Sequence, residues 1–251
     1  MKYKLLSVAL LAFTSMTFAQ GKGSLWNATT KKSTMVALEE SMQLPTNKIF
    51  ELNLNTLRSN LNAAPKRMAN GQSQNIISIP NADGNLERFR VFENTTMEAE
   101  LAAKYPEIKS YVGIGIDNPL ATAYFSVSPL GFKSMVLSPD KSAEFIEPIS
   151  TDLTTYTVYR RADKRQSLNQ FECSVVDNAV ASSPTMMLRN ANDSTLRTFR
   201  LAVSCTGEYA TYFGGTKALA LAAINASMTR VNGIFEKDFA VRMVLIANND
   251  L

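Results

Sequence analysis

Residues 196–251 read LRTFRLAVSCTGEYATYFGGTKALALAAINASMTRVNGIFEKDFAVRMVLIANNDL. The stretch opens with a strand-like run, LRTFRLAVS (196–204), and closes with a second, FAVRMVLIA (239–247). Between them the spacing predicts a helix over 216–237. Leu221, Ile224, Met228, Val231 and Phe235 recur at three- and four-residue steps, which places them on one apolar face. Gly214, Gly215 and Thr216 supply the turn and cap that open it. Strand, helix and strand make a βαβ-like start of an α/β sheet. Two strands cannot bury the helix face and both of their own faces. The expectation is therefore that 195–251 is an incomplete part of a domain and that the chain is a piece of a longer protein or a broken gene product.

Upstream the texture changes twice. Residues 161–194 are polar and rich in small residues, with Pro184, and read as a linker. The basic pairs Arg160-Arg161 and Lys164-Arg165 suit a processing protease that cuts exposed loops, or simply a solvated charge run. Before the linker, roughly residues 45 to 160 hold short strand-like runs: NIISIP, LERFRVFEN, IKSYVGIGI, ATAYFSVS, GFKSMVLS and AEFIEPI. Turn compositions separate them, with Asp83-Gly84 between the first two. Phe89 and Val91 alternate with Arg88 and Arg90, as one buried and one wet face require. TTMEAELAAKYP reads as a short helix capped by Thr95 or Thr96 and stopped by Pro106. NKIFELNLNTLRSNL (47–61) reads as a strand that continues into a short helix. The fold class is thus α+β: an antiparallel β-rich region followed by an incomplete strand–helix–strand unit.

The first residues, MKYKLLSVALLAFTSMTFAQGKG, have the three parts of a secretory signal. Lys2 and Lys4 form the positive end, Leu5 to Phe13 the apolar stretch, and cleavage is expected between Ala19 and Gln20. The apolar run is too short for a comfortable membrane span, so the mature chain is expected to be exported and without a membrane span. The formal charge of +4 contains Lys2 and Lys4; without them 24 basic residues face 22 acidic ones. That balance is too mild to argue for a nucleic-acid partner. The 251 residues contain no histidine, which excludes His-dependent triads and His-ligated zinc within them.

FGGTKALA (213–220) fails as a phosphate loop because Ala218 follows Lys217 where Ser or Thr is needed. Two cysteines are present, Cys173 and Cys205. In an exported chain they are a disulfide candidate; alternatively Cys205 pairs elsewhere, or Cys173 supplies a thiolate to a metal. Glu208, Glu236 and Asp238 lie around the last helix and read as helix-end and loop charges on a wet face. The glycosylation pattern Asn225-Ala226-Ser227 falls inside that helix and carries no weight.

RTFRLAVSCTGEYA, MTRVNGIFEKDFAVRMVLI and the trailing NND resemble the start of the catalytic domain of secreted, reprolysin-like zinc metallopeptidases of Bacteroidetes-type bacteria, in the metzincin clan. KYPEIKSYVGIGID and GFKSMVLS are similar to the pro-region of the same proteins. The resemblance implies a precursor with a signal (1–19), a β-rich pro-region (20–160), a linker with the maturation region (161–194) and the first part of a catalytic domain (195–251). It implies a pro-region that folds against its own catalytic domain and keeps it latent. It also implies zinc held by H-E-x-x-H-x-x-G-x-x-H, whose glutamate activates water to attack peptide bonds of protein substrates. None of that motif is present, so no catalytic or metal-binding residue is carried over, and this chain alone is expected to be inactive. Were latency to act through a thiolate, Cys173 is the one candidate upstream. The alternative expectation is a non-enzymatic exported inhibitor or adhesion module with a remnant tail.

Overall fold

The computed structural model describes residues 25–30, 44–46, 48–67, 72–163 and 195–250. Nine antiparallel strands fill the N-terminal part: β1 (Trp26–Thr29), β2 (Ile49–Leu52), β3 (Ile76–Pro80), β4 (Leu86–Glu93), β5 (Lys109–Gly115), β6 (Thr122–Ser128), β7 (Gly131–Ser138), β8 (Lys141–Pro148) and β9 (Thr155–Arg160). They form one sheet in the order β1-β2-β9-β8-β7-β6-β5-β4-β3. The sheet is curled until β1 and β3, at opposite ends of that order, touch. Helix α1 (Leu54–Leu61) follows β2, and α2 (Ala99–Lys104) links β4 to β5.

From β3 to β9 each strand pairs antiparallel with the next in chain order, through short turns except where α2 joins β4 to β5. The β3–β4 turn is organised by Asn81, whose Oδ1 accepts from the backbone N–H of Asp83 and Asn85, while Gly84 takes a φ of +96°. Along β4, Phe89 and Val91 are buried and Arg88 and Arg90 exposed, as the alternation predicts. The inward face collects Phe89, Val91, Phe125, Phe132, Tyr156 and Trp26 over Leu57 and Leu61 of α1. Trp26 meets Phe132 and Tyr156 edge-on, with centroids 5.4 and 5.6 Å apart. Two elements of this region, β1 and β9, are not among the runs read from sequence.

The C-terminal part holds β10 (Arg197–Leu201), α3 (Gly207–Tyr212), α4 (Lys217–Asp238) and β11 (Val241–Leu245). Strands β10 and β11 pair in parallel, from Arg197 opposite Val241 to Leu201 opposite Leu245, with α4 as the crossover. Thr216 caps α4 by accepting from Leu219 N–H, after Gly214 and Gly215 turn the chain at φ +102° and +76°. The helix ends through Ala240, which takes a φ of +52° and offers its carbonyl to Arg197 N–H.

Two expectations need correcting. The short helix α2 begins at Glu98, not at a threonine cap, because the Thr96 hydroxyl is engaged with Asn225 of α4. The apolar face of α4 is also not the whole five-residue series. Leu221, Ile224 and Met228 are buried, but Val231 and Phe235 are exposed. The face that replaces them is Asn225, Thr229, Asn232 and Gly233, all buried. The reason is that α4 packs on two surfaces: β11 on one side and β5, β6 and β7 on the other. Small residues let the second surface come close. A Cβ on Gly233 would lie 2.8 Å from the ring of Tyr124.

Candidate functional site

The candidate site lies where the C-terminal part meets the nine-stranded sheet. Strand alternation puts Val112, Tyr124 and Met135 on the sheet's outer face, opposite Tyr111, Phe125 and Val136 on the inner one. Helix α4 lies across that outer face. Next to it, Met97, Leu101 and Ile108 from the N-terminal part share one apolar cluster with Leu221, Ala222, Ile224, Met228 and Leu245 from the C-terminal part. Each fully buried leucine there contributes about 1.5–3 kcal/mol of transfer free energy. At the centre is a dry polar group. The Asn225 Oδ1 accepts from the hydroxyls of Thr96 and Ser110, the second at 3.1 Å, and Ser110 and Thr229 share a hydrogen bond of 2.8 Å. These bonds to the Asn225 oxygen form only in one register, because any displacement leaves the hydroxyls and that oxygen without partners; the buried Asn225 Nδ2 has no partner among the described residues.

The chain just before α2 is bound to the outer edge of β11. Leu245 N–H donates to Thr96 O at 2.8 Å, and Glu98 N–H donates to Leu245 O at 2.9 Å, a parallel bridge around Met97. The neighbouring edge groups are met by side chains. Asn232 of α4 both donates to and accepts from the backbone of Met243, at 2.8 and 2.9 Å. The Glu98 carboxylate accepts from Ala247 N–H at 2.8 Å. Residues 243, 245 and 247 thus have their outward-facing backbone hydrogen-bonded.

Ion pairs ring this junction. Arg230 of α4 donates to Glu147 of β8 at 2.7 Å, with its guanidinium carbon 5.3 Å from the centre of the Phe145 ring. Glu98 pairs with Arg200 of β10, and that hydrogen bond, ahead of the one from Ala247, holds its carboxyl below the usual range. Lys104 pairs with Asp250 at 3.1 Å and lowers the Asp250 carboxyl. Glu236 is bound by Arg67, with Arg242 3.9 Å away. Burial pushes the Arg242 guanidinium below its ordinary value, against the pull of Glu236, and its Nη2 donates to Thr95 O. Glu236 is therefore not the wet helix-end charge read from sequence: its side chain is 4% exposed, set between Arg67 and Arg242.

Of the predicted site residues, Ala19, Gln20 and Cys173 lie outside the described residues. Cys205 is exposed and lines a cavity of about 340 Å³ with Val203, Tyr209, Ile224 and Met228. Arg160 stands at the end of β9, paired with Asp83 at 2.6 Å and near Glu144 at 3.4 Å, so it is held in the sheet and not in an exposed loop. Lys164-Arg165 lies outside the described residues. A mixed-charge groove of about 900 Å³ opens by α1 between Glu51, Arg58, Glu107, Lys109 and Asp152. Among the described residues, no three of His, Cys, Asp or Glu come together as metal ligands, and the sequence has no histidine. The described residues do not fit a zinc site. Nor, among the described residues, is any helix long and apolar enough to cross a membrane.

The residues that sequence reading missed are Thr96, Glu98, Asn225, Thr229, Asn232 and Gly233. For the four on α4 the signal was the run of small and polar residues inside an otherwise apolar helix, which marks close approach on a second side. In comparison with known proteins, residues 195–251 match the family described as Metallo-peptidase family M12B Reprolysin-like. No curated protein and no solved structure matches the chain. The likeness to the M12B reprolysin-like metallopeptidases thus falls on β10, α3, α4 and β11, the part of the molecule that the nine-stranded sheet holds.

Proposed function

We propose that this chain is part of the precursor of an exported zinc-dependent metalloendopeptidase. Residues 20–160 are its pro-region, 161–194 its maturation segment and 195–251 the start of its catalytic domain. The observation that carries the reading is the match of residues 195–251 to the reprolysin-like metallopeptidases. The parallel β10–α4–β11 unit, as the opening of an α/β layer, supports it. So does the burial of α4 against the N-terminal sheet, the packing a latency-keeping pro-region needs. In this reading the substrates are proteins, and the zinc ligands belong to residues this sequence does not contain. In this reading the described residues shape the layer and hold it against the sheet.

The test is made on the gene. The reading frame past the Leu251 codon is determined and its product expressed. Zinc-restorable, chelator-sensitive cleavage of a protein substrate is expected from that product. None is expected from the 251-residue chain. Chelator-resistant cleavage, or cleavage by the 251-residue chain itself, would overturn the proposal.

A further inference from the structure

We infer that a cavity between the Lys66–Arg67 segment and the β10–β11 strand pair is a binding site for a doubly charged oxyanion of the phosphate type. The cavity measures about 260 Å³. Lys66, Arg67 and Thr95 line one side of it, and Thr198, Arg242 and Val244 the other. The site goes beyond the peptidase reading and needs no part of it.

Backbone pairing sets the cations around this space. Arg67 N–H donates to Glu93 O at 2.9 Å, and Glu93 N–H donates to Pro65 O at 2.8 Å, so the Lys66–Arg67 segment is tied to β4. Across the cavity Arg242 lies opposite Thr198 in the parallel register. Strand alternation puts Arg242 and Val244 on the face of β11 away from Met243 and Leu245, which join the shared core.

The charges there are unequally matched. Glu93, a carboxylate at the cavity wall, pairs with Lys109 at 3.8 Å. Glu236 is bound by Arg67 and stands 3.9 Å from Arg242. The Arg242 side chain is 9% exposed and has no nearer carboxylate. Its Nη2 donates to Thr95 O, while Nε and Nη1 have no hydrogen bond among the described residues. Lys66 forms no ion pair among the described residues. Burial pushes the Arg242 guanidinium below its ordinary value, the sign of a cation whose desolvation its neighbours do not offset. Two cations without carboxylates of their own match the charge of a dianion. A guanidinium offers paired donors to two oxygens, and the Lys66 ammonium and the Thr198 hydroxyl are donors for others. Donors that arrive from two sides suit a tetrahedral oxyanion better than the two coplanar oxygens of a carboxylate. A cleft lined by one sign of charge also concentrates such ions from solution. A free phosphate ion and a phosphate ester share this chemistry.

The experiment titrates the full chain in a calorimeter with sodium phosphate, glycerol phosphate and sodium acetate in turn. Sodium chloride holds the ionic strength constant. Saturable binding of phosphate or of glycerol phosphate is expected, with acetate roughly tenfold weaker or more. Tighter binding of the inorganic ion identifies free phosphate as the ligand; tighter binding of the ester identifies a phosphorylated small molecule. No saturable binding of either, or acetate bound as tightly, overturns the inference. Lys66→Gln and Arg242→Gln should each weaken binding about tenfold. Arg88→Gln, which removes an arginine paired with Asp117 outside the cavity, should leave binding unchanged. Should Arg242→Gln not fold, Lys66→Gln decides alone, since Lys66 is exposed. Binding that keeps its strength in the variants that fold overturns the assigned site. Because peptidase activity is not read, failure here is separate from failure of the precursor reading.

Discussion

The nine-stranded sheet and the β10–α4–β11 unit bury their apolar residues in different ways. The sheet closes on itself: Trp26, Phe125, Phe132 and Tyr156 fill its inside, and α1 completes the packing without help from residues 195–250. The smaller unit has no such interior. Its buried apolar residues Leu221, Ala222 and Leu245 lie in a cluster completed by Met97, Leu101 and Ile108. The difference teaches that the order in one part is intrinsic and in the other is lent. It also explains the texture of α4. A helix buried on one side carries a single apolar stripe, whereas one held on two sides needs small residues where the second partner approaches.

The sharpest way to break the comparison is to cut into each core in turn. Phe132→Ala removes a fully buried ring from the sheet's own interior and should cost about 3–5 kcal/mol. The loss should appear in both parts, because the second depends on the first. Hydrogen exchange reads it as lowered protection throughout, and protection kept in 217–238 would contradict the dependence. Leu221→Ala should cost roughly 2–5 kcal/mol, but in one part only. Amides of 197–245 should open while those of β6 and β7 keep their inner-core protection. Equal loss in β6 and β7 would show that the two parts unfold together.

The smallest effect expected is acid sensitivity. The carboxyls of Glu98 and Asp250 are held below their ordinary values of 4.5 and 3.8 by Arg200 and Lys104. A depressed carboxyl contributes stability that is fully present above its ordinary value and is lost as pH falls through its lowered one. Protection of 197–245 should therefore decline below the ordinary carboxylate range before the sheet's interior responds. Glu98→Gln combined with Asp250→Asn should flatten that decline; an unchanged acid profile would mean that these pairs do not link the parts.

What was legible in the sequence follows the same division. Local devices could be read: the alternation of Phe89 and Val91 with Arg88 and Arg90, the Asp83-Gly84 turn, the Gly214-Gly215-Thr216 opening of α4, the strand-to-helix change after Leu52. Each is decided by residues a few places apart. Thr96 was misread as a cap because its hydroxyl answers to Asn225, 129 residues away, and no local rule contains that choice. Glu236 was misread as a wet charge for the same reason: Arg67 lies 169 residues upstream. The helix face was half right, since the three-four spacing of Leu221, Ile224 and Met228 reports the side facing β11 and the shared core. It says nothing of Asn225, Thr229 and Gly233, whose burial depends on Ser110 and Tyr124.

The occupied edge of β11 has a further consequence, for the direction of assembly. With Asn232, Thr96 and Glu98 engaged along residues 243, 245 and 247, a strand arriving from that side finds no backbone groups to pair with. Any strand that extends the β10–β11 layer must be added along β10. The same arrangement shields a flat parallel edge from stray pairing with other copies, the usual route by which half-built sheets aggregate.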